Sequence, residues 1–117
     1  MEVKKRAGEA EGAAASLRRP GSVLSSMQYR ELGTTGIKVS ALGFGCMRLP
    51  TLGAPDRIDE AASAAMLRRA IEAGVNYLDT AWFYHAAVSM TAGASEPFVG
   101  RALAGGWRER VHLATKL

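Results

Sequence analysis

The stretch DEAASAAMLRRAIEAGVNYLDTA, residues 59–81, changes its hydrophobic period partway along, and that change decides the fold class. Asp59 offers a helix N-cap, and Glu60 is favourably placed against the positive end of the helix dipole. Ser63, Met66, Leu67, Ala70, Ile71 and Gly74 then recur at i, i+3, i+4, i+7, i+8 and i+11. That spacing is one face of a helix, closed by a C-terminal glycine. Directly after it, Val75–Ala81 reads as a strand.

The same alternation extends on both sides. Upstream, Tyr29–Leu32 and Ile37–Val39 flank Gly33-Thr34-Thr35-Gly36, a β-hairpin signature in which glycines supply positive φ. Ala41–Met47 is a short apolar run holding Gly43 and Gly45, consistent with a buried strand that something approaches closely. A loop with Pro50, Gly53 and Pro55 leads into the helix. Downstream, Ser95-Glu96-Pro97 starts a second helix, where an early proline loses no helix hydrogen bond. Phe98, Val99, Ala102 and Leu103 form its buried stripe, Gly105-Gly106 ends it, and Val111–Leu117 is a third strand. The order is a hairpin followed by β-α-β-α-β, which predicts an α/β fold with a parallel sheet and right-handed crossovers. A doubly wound sheet and a (β/α)8 barrel both satisfy it.

Residues 1–26 differ in kind. They are rich in Ala, Gly, Ser and charge, with Val23-Leu24 the only adjacent large apolar pair, so burial cannot offset the entropy of ordering them. We expect a disordered N-terminal extension over 1–26 and a folded unit over 27–117, with Met27 a candidate start of translation. No apolar run approaches the roughly 18 residues of a membrane span, and no secretory signal is apparent. The formal charge of +4 is mixed along the chain, with no basic stripe interleaved with aromatics, which argues against nucleic-acid binding. Cys46 is the single cysteine, so an intrachain disulfide is excluded and a reducing, cytoplasmic compartment is suggested. Cys46, His85 and His112 lack metal-ligand spacing, and no metal is expected.

Ligands of parallel α/β sheets bind at the carboxyl ends of the strands. Asp79 falls at the end of the second strand of that sheet, Tyr84 five residues on in the following loop, and Lys116 at the end of the third. Neighbouring strands lie about 4.8 Å apart, so Asp79 and Lys116 can meet, with Tyr84 brought back over them. A phenol is a poor acid at neutral pH. A nearby ammonium stabilises the phenolate, and so fits the phenol to protonate a carbonyl oxygen that receives hydride. The aspartate would hold the lysine in place and keep it charged. Each residue also has an ordinary reading: a strand-end turn, an amphipathic loop residue, a solvated strand end. Gly43-Phe44-Gly45-Cys46-Met47-Arg48 begins like a dinucleotide fingerprint, but Arg48 stands at the third glycine and a proline-containing loop follows instead of a helix.

Five ordered motifs then resemble the aldo-keto reductase superfamily across 27–117. They are Tyr29–Ser40, Leu42-Gly43-Phe44-Gly45, Ala73–Ala81 followed by Tyr84, Ser95-Glu96 with Gly100 and Ala102-Leu103, and Ala114-Thr115-Lys116. The resemblance implies a (β/α)8 TIM barrel with an N-terminal hairpin across its bottom, of which this chain holds the hairpin, the first three strands and two helices. It implies reduction of a small-molecule carbonyl, an aldehyde or ketone, by hydride from NADP or NAD in reduced form. Asp79, Tyr84 and Lys116 take three places of the catalytic tetrad, with Tyr84 the proton donor, and the tetrad histidine belongs to the next strand. Gly45, Cys46 and Met47, with Asp79, fall where the family's cofactor lies. Cys46–Pro50 and Tyr84-His85 look most like a microbial branch whose members often carry a C-terminal ferredoxin-like segment. Residues 85–94 are longer than the family's usual link and could reshape the substrate pocket or misplace Tyr84. His112 reads as a partly buried structural histidine. A fragment inactive alone is expected; the alternative is a non-catalytic binding or regulatory relative, or the product of a truncated gene.

Overall fold

A computed structural model describes residues 26–117, so the disorder expected for 1–26 lies, Ser26 apart, outside the described residues. The hairpin forms from β1 (Tyr29–Glu31) and β2 (Lys38–Ser40), antiparallel, with Tyr29 opposite Ser40 and Glu31 opposite Lys38. Its turn needs the left-handed backbone that glycine tolerates: Gly33 has φ 58° and Gly36 φ 75°.

Three parallel strands follow in the order β3-β4-β5: β3 (Phe44–Gly45), β4 (Tyr77–Asp79) and β5 (His112–Ala114). Gly45 pairs with Asp79, and Asp79 with Ala114. The ladders are shorter than the apolar runs, but single hydrogen bonds extend them. Cys46 N–H donates to Asp79 O at 2.8 Å, Thr80 N–H to Ala114 O at 2.9 Å and Trp82 N–H to Lys116 O at 2.9 Å. The run Ala41–Met47 is less buried than its composition implies, since Leu42 and Gly45 are exposed and Phe44 is half-buried.

Helix α1 (Glu60–Glu72) begins where Asp59 accepts the Ala62 N–H at 3.1 Å, the expected cap. Its buried row is Ser63, Leu67 and Ile71, an i, i+4, i+8 line, while Met66 at the margin of the stripe is exposed. Helix α2 (Ser95–Ala102) buries Phe98, Val99 and Ala102, and Leu103 follows them inward. Gly105 and Gly106 leave the helix with φ 76° and 91°. A 3-10 turn at Arg108–Arg110, not signalled by any period in the sequence, then leads to β5. Both helices pack on the sheet around Leu78, which is fully buried, as is Leu67, with Leu103 close to the same state. Each such leucine contributes about 2 kcal/mol of hydrophobic stabilisation.

Asn76, just before β4, fastens the hairpin to the sheet. Its Oδ1 accepts the Ser40 N–H at 2.7 Å, its Nδ2 donates to Lys38 O at 3.0 Å, and its own N–H donates to Ser40 Oγ at 3.1 Å. Nearby, Tyr29 OH donates to Gly74 O at 2.7 Å. A Cβ on Gly74 would lie 2.9 Å from that hydroxyl, so this close approach requires glycine. His112 corrects the reading from sequence: at the start of β5, the last strand in the order β3-β4-β5, it is exposed.

Candidate active site

Side chains alternate along a strand, so Leu78 and Asp79 point to opposite faces. Leu78 meets the helices, and Asp79 therefore projects from the other face, beside Ala114. Lys116 is two residues beyond Ala114 and keeps that parity. Its Nζ donates to Asp79 Oδ2 at 2.8 Å and to Thr80 O at 3.1 Å. Tyr84 OH reaches the same Asp79 Oδ2 at 3.4 Å, a long contact, and Lys116 Nζ stands 4.6 Å from the centre of the Tyr84 ring. The three residues singled out from sequence thus converge on one carboxylate oxygen. The hydrogen bond to Asp79 first, and the neighbouring Tyr84 second, push the Lys116 pKa above the ordinary lysine value, so the ammonium is the form present at physiological pH. With both side chains of the Lys116–Asp79 pair nearly half exposed, it fixes geometry more than it stabilises the fold.

Tyr84 is 9% exposed and is held by its surroundings on several sides. The segment 85–94 leaves and returns beneath it: Gly93 N–H donates to Trp82 O at 2.8 Å, Ala94 N–H to His85 O at 3.0 Å and Ser95 N–H to Tyr84 O at 3.2 Å. A Cβ on Gly93 would sit 1.9 Å from Tyr84 O, so the loop can close only with glycine there. Segment 85–94 therefore loops outward between paired ends and leaves Tyr84 within reach of Asp79 and Lys116. Phe83 meets the Tyr84 ring edge-on, with centroids 5.4 Å apart.

Beside Tyr84 opens a cavity of about 510 Å³. Met47, Arg48 and Leu49 line it from the loop after β3, and Phe83, His85 and Met90 from the loop after β4. Of the residues expected near a cofactor, Gly45 is exposed with open space over it, and Met47 is half exposed. Cys46 is fully buried, so its side chain presents no surface to a ligand. Burial, with a smaller contribution from the Asp79 charge, pushes its thiol pKa up to about 11.

Two features escaped the sequence reading. Ser95 Oγ donates to Cys46 O at 3.1 Å and lies 2.8 Å from Thr80 Oγ1, which must then be the donor to Ser95. This buried hydroxyl chain ties the ends of β3 and β4 to the start of α2. Its signal was a polar residue, Thr80, on the buried parity of Leu78. The other is His85, whose ring bridges to the loop after β3 through Leu49 and Pro55. Nothing in the spacing of the sequence points to that bridge.

The aldo/keto reductase family model matches residues 41–117. The chain belongs to the aldo-keto reductase family. A probable aldo-keto reductase of Glycine max is 38% identical over 92 residues, covering 79% of this chain and 25% of that protein. Among solved structures, an aldo-keto reductase from Bacillus halodurans in its holo form aligns with a TM-score of 0.62 and 42% identity, over 78% of this chain and 26% of that one. A putative aldo-keto reductase of Pseudomonas aeruginosa aligns with a TM-score of 0.59 and 32% identity, over 76% of this chain and 30% of that one. The chain therefore spans about a quarter of the length of the aldo-keto reductases it matches. Their likeness decides between the two architectures left open by the element order: β3, β4 and β5 are strands of a (β/α)8 barrel, preceded by the hairpin. Among the described residues no helix is long and apolar enough to cross a membrane.

Proposed function

We propose that the protein carrying this chain is a cytoplasmic oxidoreductase that reduces aldehydes or ketones with NAD(P)H, and that Tyr84 donates the proton to the carbonyl oxygen. The observation that carries this reading is the shared oxygen. Asp79 Oδ2 accepts from Lys116 Nζ and from Tyr84 OH, and of the three Tyr84 lines a cavity large enough for a small organic molecule.

The residues at the strand ends fit a nicotinamide cofactor. Gly45 has no atom within 4 Å of where a Cβ would be, which leaves a flat opening across from Asp79. Gly45 and Met47 would hold the cofactor there, with Asp79 beside them, and bound NAD(P)H supplies the hydride.

The chain's own groups account for the proton. Tyr84 holds its hydroxyl hydrogen towards Asp79, and a substrate carbonyl oxygen entering the cavity competes for it. As negative charge develops on that oxygen the phenol transfers its proton. The phenolate left behind faces the Lys116 ammonium, whose raised pKa keeps it cationic. Asp79 is the positioning residue that keeps the ammonium against the ring. Phe83, Met47 and Met90 make the cavity wall apolar and suit the organic part of the substrate.

The test is Tyr84→Phe in the intact native protein. Turnover of a simple aldehyde should fall at least about a hundredfold, the range of a lost general acid, while NADPH still binds by fluorescence titration. Turnover within a fewfold of wild type would show that Tyr84 is not the acid.

A further inference from the structure

We propose that His85 is a positioning residue for Tyr84, acting as a clasp between the two loops that wall the cavity. This rests on the reading of Tyr84 as the proton donor. His85 Nε2 accepts the Leu49 N–H at 3.0 Å, and Nδ1 lies 2.7 Å from the Pro55 carbonyl oxygen. A carbonyl oxygen can only accept and an amide N–H can only donate. The two partners therefore require a neutral imidazole with its proton on Nδ1. No other tautomer, and no imidazolium, satisfies both.

The clasp spans a long gap in sequence, 36 residues to Leu49 and 30 to Pro55. It joins the loop after β3 to the loop after β4 at the residue next to Tyr84. His85 adopts φ 59°, a left-handed backbone that a non-glycine residue rarely takes. Such a conformation persists where surrounding bonds over-determine it. Here the ring is held at both nitrogens, and the His85 carbonyl accepts the Ala94 N–H at 3.0 Å. The backbone entering His85 is the backbone leaving Tyr84, so the bend at His85 sets the direction from which the Tyr84 ring approaches Asp79. Leu49 on the opposite wall is held at the same time, because it is itself one of the clasped residues.

Loss of the clasp should therefore lower kcat through misorientation of the acid while leaving cofactor affinity unchanged. Misplacement of a reacting group by a fraction of its hydrogen-bond length commonly reduces rate on the order of tenfold or more. The experiment compares wild type, His85→Ala and His85→Gln in the intact native protein. Glutamine retains an acceptor for the Leu49 N–H near the position of Nε2. Three readouts are taken on each: the ring nitrogen resonances of His85, the 13Cζ resonance of Tyr84, and kcat and KM for NADPH and for an aldehyde.

The expected result is an Nδ1-protonated neutral ring in wild type. In His85→Ala the Tyr84 resonance moves and kcat falls about tenfold with KM for NADPH unchanged, and His85→Gln recovers part of both. An Nε2-protonated ring, or a Tyr84 resonance and kcat both unmoved in a folded His85→Ala protein, would overturn the proposal. If wild type reduces no carbonyl but the tautomer and the Tyr84 shift are as expected, the reductase reading fails and the clasp stands.

Discussion

At the amino-terminal end of the parallel sheet, Asn76 joins hairpin and strand through neutral hydrogen bonds of 2.7–3.1 Å, all to backbone groups or Ser40. At the carboxyl end, Asp79 holds an ammonium and a phenol on one oxygen, half open to water. The first arrangement is closed and satisfied, so removing a member leaves unpaired groups and loses stability. The second is open and only loosely made, with a 3.4 Å contact that the proposed mechanism has a substrate oxygen replace. The hairpin latch and the proposed proton-delivery trio thus lie at opposite ends of the same strand, three residues apart at Asn76 and Asp79, the second at the carboxyl end where the loops of a barrel carry function.

That division can be broken first at the place where the two requirements meet. Gly93→Ala would drive a methyl group into the Tyr84 carbonyl. Overpacking of this kind destabilises by about 1–3 kcal/mol or forces the loop to move. The expected outcome is a lower midpoint of thermal unfolding together with lost turnover; an unchanged midpoint with full activity would mean that the loop is far softer than its packing implies. Asn76→Ala sharpens the contrast from the other side. With the Ser40 N–H and Lys38 carbonyl left unpaired, unfolding free energy should fall by about 1–2 kcal/mol in denaturant titration, with kcat unchanged. A fall in kcat larger than twofold would show that the hairpin is coupled to the chemistry.

The smallest expected effect is at Cys46, just past β3 at the carboxyl end of the sheet. Its thiol, raised by burial from 9.0 to about 11, stays protonated in the folded state where the unfolded chain would ionise. A raised folded pKa favours folding below the unfolded value, and that contribution is lost as pH climbs through the folded one. Stability should therefore decline modestly between about pH 9 and pH 11 in the wild type, and less in Cys46→Ala, as read by denaturant midpoints across that window. At pH 8 the thiol should resist alkylation until the protein unfolds. Rapid labelling of native protein would contradict its burial.

Much of this was legible from residue order. The helical period after Asp59, the glycines that end each helix, and the parity of Asp79 with the end of the next strand are local or pairwise regularities. The fold realised them with small changes at the margins. Met66 fell on the edge of its stripe and stayed exposed, because the arc that α1 buries is only as wide as the row Ser63-Leu67-Ile71. His112 was misread because parity along a strand says which face a residue occupies, not how much of that face is covered. The trio at the site was readable because ionisable groups at strand ends are few. His85 was not, since its partners are backbone groups of a loop without a period. The Thr80–Ser95 pair was half visible, as a hydroxyl on a buried parity whose partner only the fold could name.

The same hydroxyl chain sets an order on assembly. Ser95 must bond to Cys46, 49 residues earlier, and to Thr80, 15 residues earlier. During synthesis from the N-terminus, β3 and β4 can pair as soon as both have emerged, yet Cys46 O and Thr80 Oγ1 stay without their buried partner until the first turn of α2 arrives. The carboxyl end of the sheet is therefore the later one to lock, after the hairpin end, whose latch is complete once Asn76 has been made.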